Sequence, residues 1–304
     1  MLFSDYHTHP QAHRTQRYTQ ALLQPWVDAA RKVGLSDIAF TDHDRFREGV
    51  NFDEIDRLRE QNPGLKIRAG IELDNDPASS AIGRKWIEQN WDRLDCVLGS
   101  VHFLDRADQM FDTVPAGAVQ FEGRNIDDLY ADYFRRVREI AASGLIDCLA
   151  HLDLIKIHGH RPSAEIGSIV VETLELIRAR NLAVELSTAG WRKPVNELYP
   201  SDQVIELTRV KGIPFKPRRM RIHTRSSATA LTGLPRRCRS WVCAKSAFTR
   251  TTSARHAQWL NDAGVACAPL FSRRRNASGL SAGGPPNASV VTGLCVRPRS
   301  VLRV

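Results

Sequence analysis

The sequence predicts an α/β barrel, on three observations. Strand-like and helix-like segments alternate along residues 1–215. Metal-ligand side chains stand at or just past the ends of successive strand-like segments, at His7-Thr8-His9, Asp42-His43, Glu72, His102 and His151. Eight of the ten histidines fall within residues 1–160. Regular alternation implies a parallel sheet covered by helices. Ligands gathered at the C-terminal ends of strands favour a closed barrel over an open sheet, because barrel sites collect at that face.

The elements follow in order. Residues 2–6 form a first strand, and a polar loop runs from His9 to Thr19. Pro25 suits a first helical turn, Trp26, Ala29, Ala30 and Val33 recur at helical spacing, and Gly34 stops the helix. Strand 37–41 follows, then a helix from Asp53 to Gln61 with Ile55 and Leu58 inward, ended by Asn62-Pro63-Gly64. Strand 66–73, helix 79–91 and strand 95–101 come next. Helix 127–142 sets Leu129, Tyr133, Val137 and Ile140 on one face, and Gly144 closes it. Strand 146–150, helix 164–180, strand 182–187 and helix 202–210 lead to Gly212-Ile213-Pro214-Phe215, where a seventh strand begins.

Composition breaks at this place. The 304 residues carry a net charge of +9, but residues 1–215 hold 26 Lys+Arg against 33 Asp+Glu. Residues 216–304 hold 17 Lys+Arg and one acid, Asp262. That second stretch is a basic, low-complexity tail with little apolar patterning, and by composition it should not pack a core. None of the six cysteines forms a CxxC pair. Cys96 and Cys148 sit in apolar strand-like runs and read as reduced, buried thiols. Met1-Leu2-Phe3 passes directly into a strand, and no apolar run approaches membrane-spanning length, so a cytoplasmic soluble protein is expected.

A lone loop histidine is usually a surface residue, but five of these histidines repeat one position relative to strand ends. In an extended strand His7 and His9 point to the same side, so both can reach one ion. Glu72 follows the small, apolar Ala69-Gly70-Ile71, where a carboxylate is either a salt-bridged structural group or a metal bridge. Mixed nitrogen and oxygen ligands suit Zn, Mn or Fe. Two or three divalent ions so held would activate water and clamp a phosphate ester. No P-loop, Gly-rich dinucleotide turn or Ser–His–Asp set appears.

These motifs together resemble the PHP (polymerase and histidinol phosphatase) family: HxH at 7–9, Thr41-Asp42-His43, Gly70-Ile71-Glu72, Val101-His102 and His151-Leu152-Asp153. The likeness is strongest to its histidinol-phosphatase branch, because Ser187-Thr188-Ala189-Gly190-Trp191-Arg192-Lys193-Pro194, with Tyr199-Pro200 after it, resembles that branch's substrate-side loop. The resemblance covers residues 1–215 and implies a distorted (β/α)7 barrel of the PHP type with a trinuclear metal centre. It implies that His7, His9 and Glu72 hold one ion, and that Glu72 bridges to a second held by His102 and His151. His43, with His13, would hold a third. Arg192 resembles a phosphate-binding arginine, whose guanidinium fork fits phosphate oxygens, and Lys193 and His160 would join it on the substrate side. Asp5 and Asp153 would orient ligands, Asp42 would do so or cap the turn, and Asp153 and Arg192 stand beside Glu72 in the catalytic set. His158 and His160, with Lys156 and Arg161, either touch phosphate or form a solvated loop.

One expected motif is missing. The family's seventh strand ends in Asp-x-His, whose Asp completes the first ion and whose His completes the third. Here Phe215 runs into Lys216-Pro217-Arg218-Arg219-Met220-Arg221-Ile222-His223. A shifted reading frame is the hypothesis that fits this, and a genuine basic tail is the rival reading. Met220 has one codon, ATG, and if Arg221 is CGN the bases G-CG encode alanine. Within residues 218–224 the string Ser-Asp-Ala-His-Ser can then be read, and continuing through 226–242 permits a helical string such as QLGYGFDRLAAKMQELGV. The seventh strand and last helix are therefore expected to be disrupted and the barrel incomplete, with an open edge beside strand 182–187.

Three functions compete. The first is metal-dependent hydrolysis of a small phosphate monoester, histidinol phosphate foremost, impaired by the missing ligands. The second is a PHP-type phosphodiesterase or exonuclease. The acidic balance of residues 1–215 opposes strong polynucleotide binding, which needs Lys and Arg to neutralise phosphates. The third is an inactive product, or a protein that binds nucleic acid through its basic tail. The oligomeric state is open.

Overall fold

The computed structural model describes residues 3–105, 109–163 and 167–215. The basic stretch 216–304, with His223 and the site of the missing Asp-x-His, lies outside the described residues.

Among the described residues six parallel strands form one sheet in chain order: β1 (Phe3–Asp5), β2 (Leu35–Phe40), β3 (Lys66–Leu73), β4 (Cys96–Gly99), β5 (Cys148–Leu149) and β6 (Ala183–Val184). The sheet curls into a half-barrel. Pairing is parallel throughout, with Asp37 opposite Lys66, Gly70 opposite Cys96, and Leu149 opposite Val184. The seventh segment begins where the sequence places it. Phe215 bridges in parallel to Val184, whose N–H donates to the Pro214 carbonyl at 3.0 Å.

β5 and β6 are shorter than their apolar runs suggest. Hydrogen bonds nonetheless extend the ladder past both ends, from Ala183 N–H to the Asp147 carbonyl and from Glu185 N–H to the Leu149 carbonyl. The helices α1 (Gln20–Lys32), α2 (Phe52–Gln61), α3 (Ser80–Gln89), α4 (Ile126–Ala142), α5 (Gly167–Ala179) and α6 (Asp202–Val210) fall in the predicted places. The start of α1 is a correction. Thr19 caps the helix by accepting from Leu22 N–H, so Pro25 lies inside it and not in its first turn. A favourable cap and a buried face of Leu23, Trp26, Val27, Ala29 and Ala30 outweigh the one helical donor that Pro25 lacks.

Side-chain alternation gives the sheet two apolar faces. On one, Val97, Leu149 and Val184 pack against Phe134 and Val137 of α4 and Leu174 and Ile177 of α5. Ile38 and Phe40 pack against Leu23 and Trp26 of α1 and Ile55 and Leu58 of α2. On the other, the interior of the curl, Leu98, Cys148, Ala150 and Ala183 form a small cluster. Both described cysteines, Cys96 and Cys148, are free and buried. The interior is tight enough to dictate a glycine: a Cβ on Gly70 would stand 2.6 Å from Thr41 Cγ2 and 2.8 Å from Cys96 Sγ.

Charges sit near the opposite, N-terminal ends of the strands. Arg59 reaches Asp95 at 2.5 Å and donates to the Ile67 carbonyl at 2.9 Å, while Arg68 pairs with Asp37 at 2.9 Å. Among the described residues no helix is long and apolar enough to cross a membrane.

Candidate metal centre

The C-terminal ends of the strands bring the predicted ligands to one carboxylate. Thr8 is anchored to β2: its N–H donates to Thr41 Oγ1 at 3.0 Å and its hydroxyl to the Ala39 carbonyl at 2.7 Å. With Thr8 turned to β2, His7 and His9 both reach Glu72 on the other side. Glu72 is the penultimate residue of β3, and its N–H donates to the Asp42 carbonyl, so Glu72 bridges in parallel to His43 just past β2. His102 is set by Asn75, whose Oδ1 accepts its backbone N–H at 2.9 Å.

Five imidazoles surround the Glu72 side chain. Oε2 lies 3.2 Å from His7 Nε2, 3.4 Å from His9 Nε2 and 3.2 Å from His43 Nδ1. Oε1 lies 3.3 Å from His151 Nε2 and 3.9 Å from His102 Nε2. Glu72 is fully buried, yet neither of its oxygens has a hydrogen-bond partner, nor do Nδ1 of His9, His43 and His151. Buried charges are normally paired or coordinated to metal, so this donor set fits divalent cations. Among the described residues three groups have atoms close enough to hold an ion: His7, His9 and Glu72; Glu72, His102 and His151; and His43, Asp74 and His102.

The electrostatics divide the ring. Burial drives the Glu72 carboxyl up, but His43 and His7 outweigh it and hold it well below its ordinary range. Burial dominates at His9 and His43, which are held well below the usual imidazole value. At His7 burial is overcome by Glu72 and Glu185, which raise it well above. At His102 burial is overcome chiefly by Asp74, which lifts it to about 9.

Two carboxylates in this centre are absent from the sequence-based set. Asp74 Oδ2 lies 2.9 Å from His102 Nδ1, 3.6 Å from His43 Nδ1 and 3.2 Å from Arg45. Glu185 lies 3.2 Å from His7 Nδ1 through either oxygen and accepts His151 N–H at 2.8 Å. Glu185 was detectable: it follows Leu182-Ala183-Val184 as Glu72 follows Ala69-Gly70-Ile71. The third ligand group pairs His43 with Asp74 and His102. His13, expected beside His43, is exposed, with its ring 5.3 Å from those of both His9 and His43.

The other predicted residues lie around the centre. Asp5 accepts His7 N–H at 3.1 Å. Asp42 is held by Tyr18 at 2.8 Å and by Gln11 N–H, and burial pushes it up to about 7. Arg192 and Lys193 stand on a loop closed by the antiparallel bridge between Ser187 and Tyr199. Arg192 is exposed and donates to the Thr188 carbonyl at 3.4 Å. Asp153 is buried and ties two loops, accepting from Lys156 Nζ at 2.8 Å and Ser201 N–H at 2.7 Å. His160 stacks on Phe121 at 4.9 Å, and His158 donates to the Phe111 carbonyl at 2.7 Å.

The sequence of residues 5–189 matches the model of the PHP domain. The chain belongs to the PHP domain family. Within that family it is 33% identical over 207 residues to a protein of Deinococcus radiodurans named "Probable histidinol-phosphatase", a match spanning 62% of this chain and 76% of the relative. The PHP fold also superposes on a crystal structure from Listeria monocytogenes titled a "putative histidinol phosphatase", with TM-score 0.54 and 18% identity, covering 70% of this chain and 92% of the other. At that identity the superposition speaks for the fold.

Proposed function

We propose that this PHP domain is a metal-dependent phosphomonoesterase acting on a small phosphorylated substrate, histidinol phosphate foremost, with two or three ions of Zn, Mn or Fe. The observation that carries the reading is Glu72, a buried carboxylate with both oxygens lacking hydrogen-bond partners inside a ring of five imidazoles. In the proposed arrangement Glu72 is shared between one group with His7 and His9 and a second with His102 and His151, and His43 and Asp74 serve a third. Divalent ions in such a centre lower the pKa of bound water and clamp a phosphate ester for in-line attack. The chain's own residues supply the rest. His9 and His43, held neutral by burial, keep lone pairs for ligation. Arg192, exposed on its loop, is assigned to the phosphate oxygens, with Lys193 beside it. Asp153 acts indirectly by fixing the loop that leads to Ser201. The name of the Deinococcus radiodurans relative supports the substrate class.

The same reading assigns residues 216–304 to a shifted frame and predicts impaired turnover, since the Asp-x-His implied by the family resemblance is missing from the sequence. The deciding experiment measures phosphate released from histidinol phosphate and p-nitrophenyl phosphate, with bis-p-nitrophenyl phosphate as the diester control, by the Mn- or Zn-loaded chain and a frame-restored form. Monoester turnover, greater in the frame-restored form, is expected. Hydrolysis of the diester alone transfers the assignment to a phosphodiesterase, and no release by either form overturns both.

A further inference from the structure

β1 and β6 are the two edges of the six-strand order, and one buried side chain beyond the end of β6 reaches a residue beyond the end of β1. Glu185 extends from the end of β6 and places both carboxylate oxygens 3.2 Å from His7 Nδ1, beyond the end of β1. Its Oε2 also accepts the backbone N–H of His151, beyond β5, at 2.8 Å. His151 needs that anchor, because its φ of 28° lies in the left-handed region that non-glycine residues rarely adopt. One carboxylate thus fixes two imidazoles that come from two different strands.

The chemistry of Glu185 sets which nitrogen of His7 is available. An ionised carboxylate only accepts hydrogen bonds, so His7 Nδ1 must carry the hydrogen. The other nitrogen, Nε2, faces Glu72 Oε2 at 3.2 Å. With an ion bound, Nε2 would offer its lone pair on the Glu72 side while Nδ1 keeps its hydrogen toward Glu185. His102 repeats the pattern, with Nδ1 2.9 Å from Asp74 and Nε2 turned toward Glu72. Carboxylate–histidine pairs of this kind fix tautomer and ring orientation in metal sites.

We propose that Glu185 is a positioning residue for the metal centre: it locks His7 in the Nδ1–H tautomer and holds His151 in place, so that both rings present Nε2 to the Glu72 side. This rests on the metal-centre reading given above. It assigns Glu185 no contact with substrate and no ligand bond.

The test is metal affinity, read apart from turnover. Zn and Mn affinities of the full chain are measured by competition with a chromogenic chelator, for wild type, Glu185→Ala and Glu185→Gln. The His7 tautomer is read from ¹⁵N imidazole correlations. Glu185→Ala is expected to weaken metal binding about 10–100-fold, as loss of such a partner does elsewhere. Glu185→Gln keeps one acceptor where two bonds are needed, so its affinity should fall between the two. The wild-type His7 should show Nδ1–H. A purely structural Glu185 would lower the melting temperature and leave affinity within about threefold of wild type, and that result overturns the proposal. If Glu185→Ala fails to fold, Glu185→Gln decides, and unchanged affinity there overturns it equally. A wild-type chain that takes up neither ion overturns the metal-centre reading, and this inference with it.

Discussion

Glu72 Oε2 stands 3.2 Å from His43 Nδ1, and the two residues are backbone partners across the ends of β2 and β3. A parallel bridge just past the end of β2 therefore places the carboxylate and the imidazole together. This makes Glu72 the fixed point of the centre, and its removal the most direct perturbation. Glu72→Gln keeps the shape and removes the charge. It should abolish stoichiometric metal uptake and lower phosphate release by at least about 100-fold, the upper end of what losing an outer partner alone costs. Elemental analysis of dialysed protein and a phosphate-release assay check the two effects separately. Wild-type metal content in the variant would refute the assignment of Glu72 as shared ligand.

Chelation should destabilise the fold. Without ions, the buried Glu72 depends on surrounding imidazoles for compensation, and His9 and His43 are held by burial in their neutral form. An ion that binds only the folded chain, at 100 times its Kd, adds about 2.7 kcal/mol of stability. For a domain of this size that is about 5–10 °C in melting temperature. Calorimetry with EDTA, then with Mn or Zn restored, measures the difference. A melting temperature indifferent to both treatments would count against a centre built into the folded core.

Much of this centre was legible in the sequence because strand alternation and strand ends are local properties. His7, His9, His43, Glu72, His102 and His151 each stand at or just past the end of a strand-like segment, and parallel pairing in chain order brings those ends together. Glu185 carried the same local signal, a carboxylate closing the run Leu182-Ala183-Val184. Its use depends on β6 facing β1 across the curl, a contact separated by 178 residues. Asp74 stands two residues after Glu72 and meets His102 because β3 and β4 are neighbours, which local pattern does not reveal. Pro25 misled because proline at a helix start is a statistical habit, whereas the Thr19 cap is a hydrogen bond.

Cys96 and Cys148 should be silent toward alkylation in the native protein. Both are buried, and burial pushes each thiol well above its ordinary value, so no reactive thiolate forms at neutral pH. Iodoacetamide at pH 8 followed by peptide mapping should leave these two unmodified, and should label both after unfolding in guanidinium. Rapid native labelling of either would contradict the closed interior formed by Leu98, Cys148, Ala150 and Ala183.

The last prediction separates scaffold from centre. Arg59 is buried on α2. It reaches Asp95 at 2.5 Å and the Ile67 carbonyl at 2.9 Å, near the ends of the strands opposite the metal ligands. Asp95 also accepts Ala69 N–H at 2.9 Å, so its charge orders the start of the β3–β4 pairing. Arg59→Ala leaves that carboxylate buried with Arg68, at 3.8 Å, as its nearest remaining cation. Breaking a buried pair from one side costs about 3–5 kcal/mol, and the residual contact with Arg68 should hold the loss near the lower figure. Urea denaturation should show this as a lower midpoint, while metal stoichiometry of the folded variant stays at the wild-type value. The charge network at one end of the strands then bears on stability alone, and the imidazole ring at the other end on binding. A variant with wild-type stability would show that Arg68 and the backbone already compensate Asp95. Loss of metal from a folded variant would show instead that the ligand ends of β3 and β4 depend on how their opposite ends are held.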